Sequence, residues 1–376
     1  MLAACGRSAS PAAPKAPPVE AHVDVPRTIV TPKDVSNIPE LYAHATELAQ
    51  RGEHGAAARE FARIATLDPE GELADDAMFQ AGSEHDEASE FEEAANTYEQ
   101  LGRRYPRSEL KSAALVRATR LLSHLENFRK AGEMAQNVLA SQAELGPFER
   151  VVLYGASALS RLDADDEQAA QTFIEKGRAV IDENQLDAAG RVSRDLSSLY
   201  FALGELRRRR AERIVFTPTP KDFANVLEQR CQLLLDAEGA YSDAMRAYDA
   251  HWSTMAGYRV GELYERLHED LMRVTPPANA DTLAKRQLFE GAMRLRFSIL
   301  LEKALKMIEH TLSMAERTGE HSAWVDKSRE AQTAIKNAMQ RETAALAAIP
   351  YSRATLQLAL DMLQRRHAPE ATTPYK

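Results

Sequence analysis

Two short groupings carry residue types that do chemistry in enzymes. Ser108 and Lys111 stand at S-x-x-K spacing, which places a lysine amine one helical turn from a serine it could deprotonate. No companion motif accompanies the pair, so it reads as a chance match. Glu84-His85-Asp86-Glu87 offers four metal-type ligands in a row. Sequence neighbours on a helix point in different directions, so this quartet reads as a solvated acidic face. The chain has no Gly-rich phosphate loop, G-x-S-x-G, H-E-x-x-H or C-x-x-C. The expectation is therefore no catalytic residues, no metal ligands and no cofactor.

The two cysteines, Cys5 and Cys231, are too far apart and too few for a disulfide framework or a zinc site. Cys231 lies within Leu227-Glu228-Gln229-Arg230-Cys231-Gln232-Leu233-Leu234-Leu235 and reads as a small packing residue. An intermolecular disulfide is the alternative, since an exported thiol can oxidise.

Charge narrows the partners. Against 47 basic residues stand 56 acidic ones, a net −9, which argues against nucleic acid as a ligand. Residues 68–99 hold twelve carboxylates and no Lys or Arg, whereas the balance turns basic from Arg103 to Lys130. Such stripes either steer a charged partner or neutralise one another between neighbouring elements. Arg207 to Arg210 form a basic run flanked by Glu205 and Glu212. It reads as a helix with intrahelical pairing rather than a headgroup-binding patch. No stretch of 18 apolar residues is present.

The elements that position these residues are helical. Seven of 17 prolines precede residue 40, and long proline-free stretches rich in Ala, Leu, Glu and Arg follow. Period-two Val-Ile-Thr runs are nearly absent, so the expectation is an all-α fold. Within it a 37-residue interval recurs: Ala57, Ala94, Ala131; Phe61, Tyr98, Ala135; Pro69, Pro106. Leu41, Met78 and Leu115 keep the same phase, as do Ala45, Gly82 and Thr119. Small residues let two helices of a hairpin approach, the aromatic fills the space to the next pair, and proline ends the second helix. A fourth unit is expected from Leu153, Ser157, Ala169 and Phe173, and Leu199, Phe201 and Leu203 suggest a fifth unit or a capping helix. Thr217-Pro218-Thr219-Pro220 then breaks the chain.

Beyond it, Tyr241, Met245, Tyr248, Trp252 and Met255 recur at 4,3,4,3 spacing, which predicts one face of a long helix. Ala256, Val260, Leu263, Leu267 and Leu271 continue on a neighbouring face, and Pro276-Pro277 ends the element. Gly257 and Gly261 predict a close helix crossing or a break. Further helices are expected at about 282–317, 322–348 and 352–366.

The repeat landmarks resemble the tetratricopeptide repeat (TPR), with three residues more per unit and without the family's tryptophan in the first helix. The opening Leu2-Ala3-Ala4-Cys5-Gly6 looks like a bacterial lipobox, and the Pro/Ala/Ser-rich segment after it reads as an extended tether. The charged and apolar regions of an export signal do not precede it, which points to a start upstream of Met1 or to trimming. Together these features are similar to the envelope TPR lipoproteins. Those of outer-membrane β-barrel assembly are similar over residues 40–200. Those of the gliding-motility machinery of social soil bacteria are similar over the whole length, carried by stretches such as Met255-Ala256-Gly257-Tyr258-Arg259-Val260-Gly261.

The resemblance implies lipidation at Cys5 and, with Gly6 rather than Asp next to it, the periplasmic face of the outer membrane, reached only through the lipid. The implied organisation is lipobox and tether over 1–39, a TPR array over 40–216, a TPR-like helical domain over 221–367 and a disordered tail over 368–376. The implied function is a non-enzymatic scaffold, with envelope proteins or peptide segments as partners. Two alternatives stay open, a module targeting a peptidoglycan-acting enzyme and a cytoplasmic TPR adaptor. Carried onto this chain, the groove positions of the first helices are Tyr42, Thr46, Asp76, Phe79, Ser83, Asp86, Val116 and Arg120. An aromatic flanked by carboxylates there suits a segment with basic and apolar side chains.

Overall fold

The computed structural model describes residues 37–141, 143–188 and 192–367, with side chains to residue 360. Cys5, the tether and the tail lie outside the described residues. The described residues form helices and connecting turns, with no strand among them. In chain order the helices are α1 (Ile38–Gln50), α2 (His54–Leu67), α3 (Ala74–Glu87), α4 (Phe91–Arg104), α5 (Lys111–His124), α6 (Phe128–Ala140) and α7 (Pro147–Asp163). There follow α8 (Glu167–Asn184), α9 (Ser197–Glu212), α10 (Phe223–Arg246), α11 (Ala250–Met272), α12 (Leu283–Thr318), α13 (Ala323–Ala348) and α14 (Arg353–His367). A single 3₁₀ turn, Arg194–Leu196, precedes α9.

The molecule is an all-α solenoid of helical hairpins: α1/α2, α3/α4, α5/α6 and α7/α8, each packed on the next. The 37-residue landmarks are its internal joints. Ala57, Ala94 and Ala131 are fully buried, as are Tyr98 and Ala135, with Phe61 nearly so. A Cβ on Gly82 would stand 2.7 Å from the Tyr98 ring, so only glycine permits this approach of α3 and α4. The hairpin turns keep the same interval. Gly52, Ser89 and Glu126 each take φ between +56° and +77°, the left-handed conformation that reverses the chain in three residues. The longer connections lie between hairpins, at residues 68–73 and 105–110, just after α2 and α4 end ahead of Pro69 and Pro106.

Three expectations need correction. In the fourth hairpin the buried positions of α8 are Ala170 and Ile174, one residue beyond Ala169 and Phe173, because the α7–α8 turn comes later in the unit. Ala169 and Phe173 are only half-buried. Next, α9 is no capping helix. It buries residues around its whole circumference against α7, α8, α10 and α11.

The third correction concerns the long helix predicted through Tyr241 and Met255. It is broken at Ala247–Asp249, where Tyr248 adopts φ +56° and stands 77% exposed. Asp249 restarts the chain as a cap, accepting the Trp252 amide at 3.0 Å. Two antiparallel helices bury their apolar faces in the centre, where one straight helix would have run out into solvent. The apolar spacing is continuous through the break, so periodicity alone does not reveal it.

The second half packs as the first does. Gly261 lies where a Cβ would meet Ile308 at 2.6 Å, and Gly257 faces Thr311 just as closely, so α11 and α12 cross in contact. Gly319, at φ +70°, ends α12 and turns the chain into α13. One apolar core runs from Val151 to Ile335 and passes through both sides of residues 217–220. Arg230 of α10 donates to the carbonyls of Ala211 and Ile214, and Tyr241 donates to Glu205 at 2.7 Å. The Thr217–Pro220 segment is therefore a turn on a shared core rather than a gap between two.

Candidate docking groove

Helices α1, α3 and α5 are the first members of their hairpins and present consecutive side chains. The Tyr42 hydroxyl donates to Asp76, joining α1 to α3. Burial, then the Asp76 hydrogen bond and charge, push the phenol well above its ordinary range. Thr46 spends its hydroxyl on the Tyr42 carbonyl of its own helix, at 2.9 Å. Phe79 meets Tyr98 edge-on with centroids 5.4 Å apart, and the Arg117 guanidinium lies 4.6 Å above the Phe79 ring. Arg117 also donates to the Tyr98 hydroxyl at 3.0 Å and to Ser83 at 3.4 Å.

Asp86 lies farther along the same face. Burial raises its carboxyl, with Glu87 adding to the effect, while Arg194, Arg117 and Arg120 pull it back. Arg120 itself ion-pairs with Asp195 at 2.6 Å, reaching from α5 to the turn before α9. There the face closes: Arg120, Ser123, Val152 and Trp252 surround a space of only about 20 Å³, enough for one water.

The predicted positions thus divide. Tyr42 joins Asp76, and Phe79, Ser83 and Asp86 gather around Arg117, whereas Arg120 is committed to an internal ion pair. Val116 does not line the face. It is 2% exposed, in a cluster with Val152 and Ala156 of α7, because α5 packs directly on α7. Sequence reasoning missed Arg117, which stacks on the central aromatic, and the Arg194–Asp195 pair. Arg117 has a signal: it sits at helical spacing from Arg120 and His124 on α5. Arg194 and Asp195 have none, since the fold brings them from 75 residues away.

Other groups singled out by type resolve into structure. Ser108 accepts the Leu110 amide at 3.1 Å in the turn before α5, so the S-x-x-K pair is a local turn. His85 pairs with Glu90 at 2.6 Å, and Glu84 with His54 at 2.8 Å across the first two hairpins. Among the described residues no group of His, Cys, Asp and Glu is placed to hold a metal ion. Lys130 neutralises Glu99 of the preceding hairpin at 2.7 Å, while Asp68, Glu72, Glu92 and Glu93 have no ion-pair partner among the described residues.

The basic run stitches helices together. Arg209 pairs with Asp165 at 2.6 Å, Arg210 with Gln171, and Arg207 with the Asp236 carbonyl at 2.7 Å. Arg208 alone follows the expected intrahelical pattern, pairing with Glu205 and Glu212, each at 2.8 Å. Cys231 is half-buried among core side chains, and burial raises its thiol.

No protein-family model and no curated protein matches the sequence. Among solved structures, a tetratricopeptide repeat protein from Parabacteroides merdae aligns over 80% of this chain and all of its own, at 12% identity and a TM-score of 0.42. A circular tandem repeat protein with a novel repeat topology aligns over 89% of this chain and 92% of its own, at 14% identity and a TM-score of 0.21. The all-α solenoid assignment rests on the helix pairing described above.

Proposed function

We propose that this chain is a non-enzymatic scaffold whose face across α1, α3 and α5 holds an extended segment of a partner protein. The observation that carries the reading is the composition of that face. Phe79, stacked by Arg117, shares α3 with the carboxylates of Asp76 and Asp86, and Tyr42 of α1 bonds to Asp76, within hairpins that carry the unpaired Asp68, Glu72, Glu92 and Glu93. Such a face favours a segment alternating apolar with Lys or Arg side chains. With Cys5 acylated, the scaffold sits at the periplasmic face of the outer membrane. It there organises an envelope complex of the outer-membrane assembly or gliding-motility kind.

Two measurements test this. Membrane fractionation of wild type and Cys5→Ala should move the protein from the membrane to the soluble fraction; two soluble proteins would end the lipid-anchor part. Pull-down from envelope extracts should recover a partner that Phe79→Ala and Asp86→Lys lose. Equal recovery by all three proteins would end the groove part. Removing one central aromatic anchor should weaken binding by about 2 kcal/mol or more.

A further inference from the structure

The chain enters α1 at Ile38, and successive helices pack antiparallel, so α1 and α3 run the same way and begin at the same end of the docking face. Along α3 that face carries Asp76, Phe79, Ser83 and Asp86 in order. The two carboxylates stand ten residues apart, roughly 15 Å along the helix axis, with the half-buried Phe79 ring between them. Neither has an ion-pair partner among the described residues. Of the arginines near Asp86, Arg117 is committed to Ser83 and Tyr98, and Arg120 to Asp195, which leaves only the exposed Arg194. At the entry end, Glu40 lies in the first turn of α1, and Asp75 joins Asp76 in that of α3. From the point where the chain arrives, the order is acid, aromatic, acid.

The sequence just ahead of the described residues has the complementary order. In Val25-Pro26-Arg27-Thr28-Ile29-Val30-Thr31-Pro32-Lys33, alternate positions hold Arg27, Ile29, Thr31 and Lys33, which is one side of an extended chain. Pro26 and Pro32 favour extended backbone in themselves and in the residue before each. Arg27 and Lys33 would stand roughly 20 Å apart when extended. Side chains of their length can absorb the difference from the roughly 15 Å between Asp76 and Asp86. Asp34 to Asn37 then supply the reversal into α1. Four residues reach up to about 14 Å, more than the roughly 8–10 Å between packed helices. Lys33 thus falls at Asp76, Ile29 at Phe79 and Tyr42, and Arg27 at Asp86.

We propose that residues 25–33 lie on the docking face of their own molecule and close it until a partner's segment displaces them, an inference that rests on reading this face as a groove. A connection this short holds the segment at an effective concentration of about 1 mM or more, so modest contacts suffice to keep it there.

Limited trypsin digestion of the full chain, with fragments assigned by mass spectrometry, tests it. Cleavage after Arg27 should be about tenfold or more slower in the protein than in a synthetic peptide of residues 10–36, while cleavage after Lys15 should be alike in both. Ile29→Asp, a change ahead of the first helix, should remove the protection. A labelled peptide of residues 23–35, followed by fluorescence anisotropy, should bind the Ile29→Asp chain about tenfold or more tightly than wild type. Adding Asp86→Lys to Ile29→Asp should abolish that binding. Equal cleavage after Arg27 in protein and peptide overturns the proposal, as does peptide affinity that Ile29→Asp leaves unchanged. Protection that fades on dilution also overturns it, by assigning the face to the segment of a second copy. If Phe79→Ala still loses the pulled-down partner after such a result, the groove stands and only its internal occupant falls; if the partner is kept, the groove falls too.

Discussion

Glu205 shows how a single residue ties the centre of the molecule together. It is 7% exposed on α9, ion-paired with Arg208 at 2.8 Å and with Arg259 of α11 at 2.9 Å, and accepts a hydrogen bond from Tyr241 of α10 at 2.7 Å. Burial alone would raise its carboxyl, but the Arg259 and Arg208 charges and the two hydrogen bonds outweigh burial and hold it below the ordinary carboxylate range. Glu205→Gln should cost about 3 kcal/mol, the lower end for a broken buried pair, because Arg208 and Arg259 keep Glu212 and Glu262. Urea unfolding measures it. A depressed folded pKa gives stability that is present above the unfolded value of 4.5 and lost as pH falls through the folded value. Unfolding midpoints between about pH 6 and pH 3 should therefore fall less steeply in the Gln variant than in wild type.

At the scale of elements, the turns decide how helices pair. Tyr248 holds a left-handed backbone that costs a non-glycine residue about 1–2 kcal/mol, and at 77% exposure it buries little in return. Tyr248→Gly should stabilise the protein by about 1 kcal/mol, read as a higher urea midpoint. Asp249→Ala, which removes the α11 cap, should destabilise by about 1 kcal/mol. Opposite signs at adjacent positions are what a real chain reversal requires. A continuous helix through residues 241–255 would instead be weakened by the glycine.

Across the whole molecule, the solenoid curls until distant turns meet. The Trp324 indole donates to Glu126 at 2.7 Å across 198 residues, the Lys327 amine lies 3.7 Å from the Trp324 ring centroid, and the His124 and His251 rings meet at a 36° tilt with centroids 4.0 Å apart. Trp324→Phe should loosen this closure, raising the radius of gyration in small-angle scattering at unchanged helicity and costing about 1 kcal/mol. The closure should also respond to acid. Burial, then the neighbouring His251 charge, lower the His124 pKa, while Asp249, Glu320 and Glu126 oppose the shift. The folded state therefore binds fewer protons than the open one, so the contribution is present above the ordinary 6.5 and lost as pH falls below it. Glu320, held down to about 2 chiefly by its hydrogen bond with His251, stays charged throughout that window. Scattering should show expansion between about pH 7.5 and pH 5, reduced in His124→Gln.

Sequence alone determined what depends on local spacing. The 37-residue recurrence fixed the first three hairpins and their buried alanines, with the aromatics and proline stops of the first two, since each landmark packs against a neighbour a constant distance along the chain. Tyr42, Asp76, Phe79, Ser83 and Asp86 are grouped by the resemblance to the tetratricopeptide repeat rather than by the spacing. Only the tertiary structure decided that Val116 is covered by α7, that Arg120 is taken by Asp195, and that the chain reverses at Tyr248. It alone showed that the core continues through residues 217–220. These outcomes depend on how the helices curl and splay relative to one another. That geometry arises from contacts between residues distant along the chain, which no local periodicity encodes.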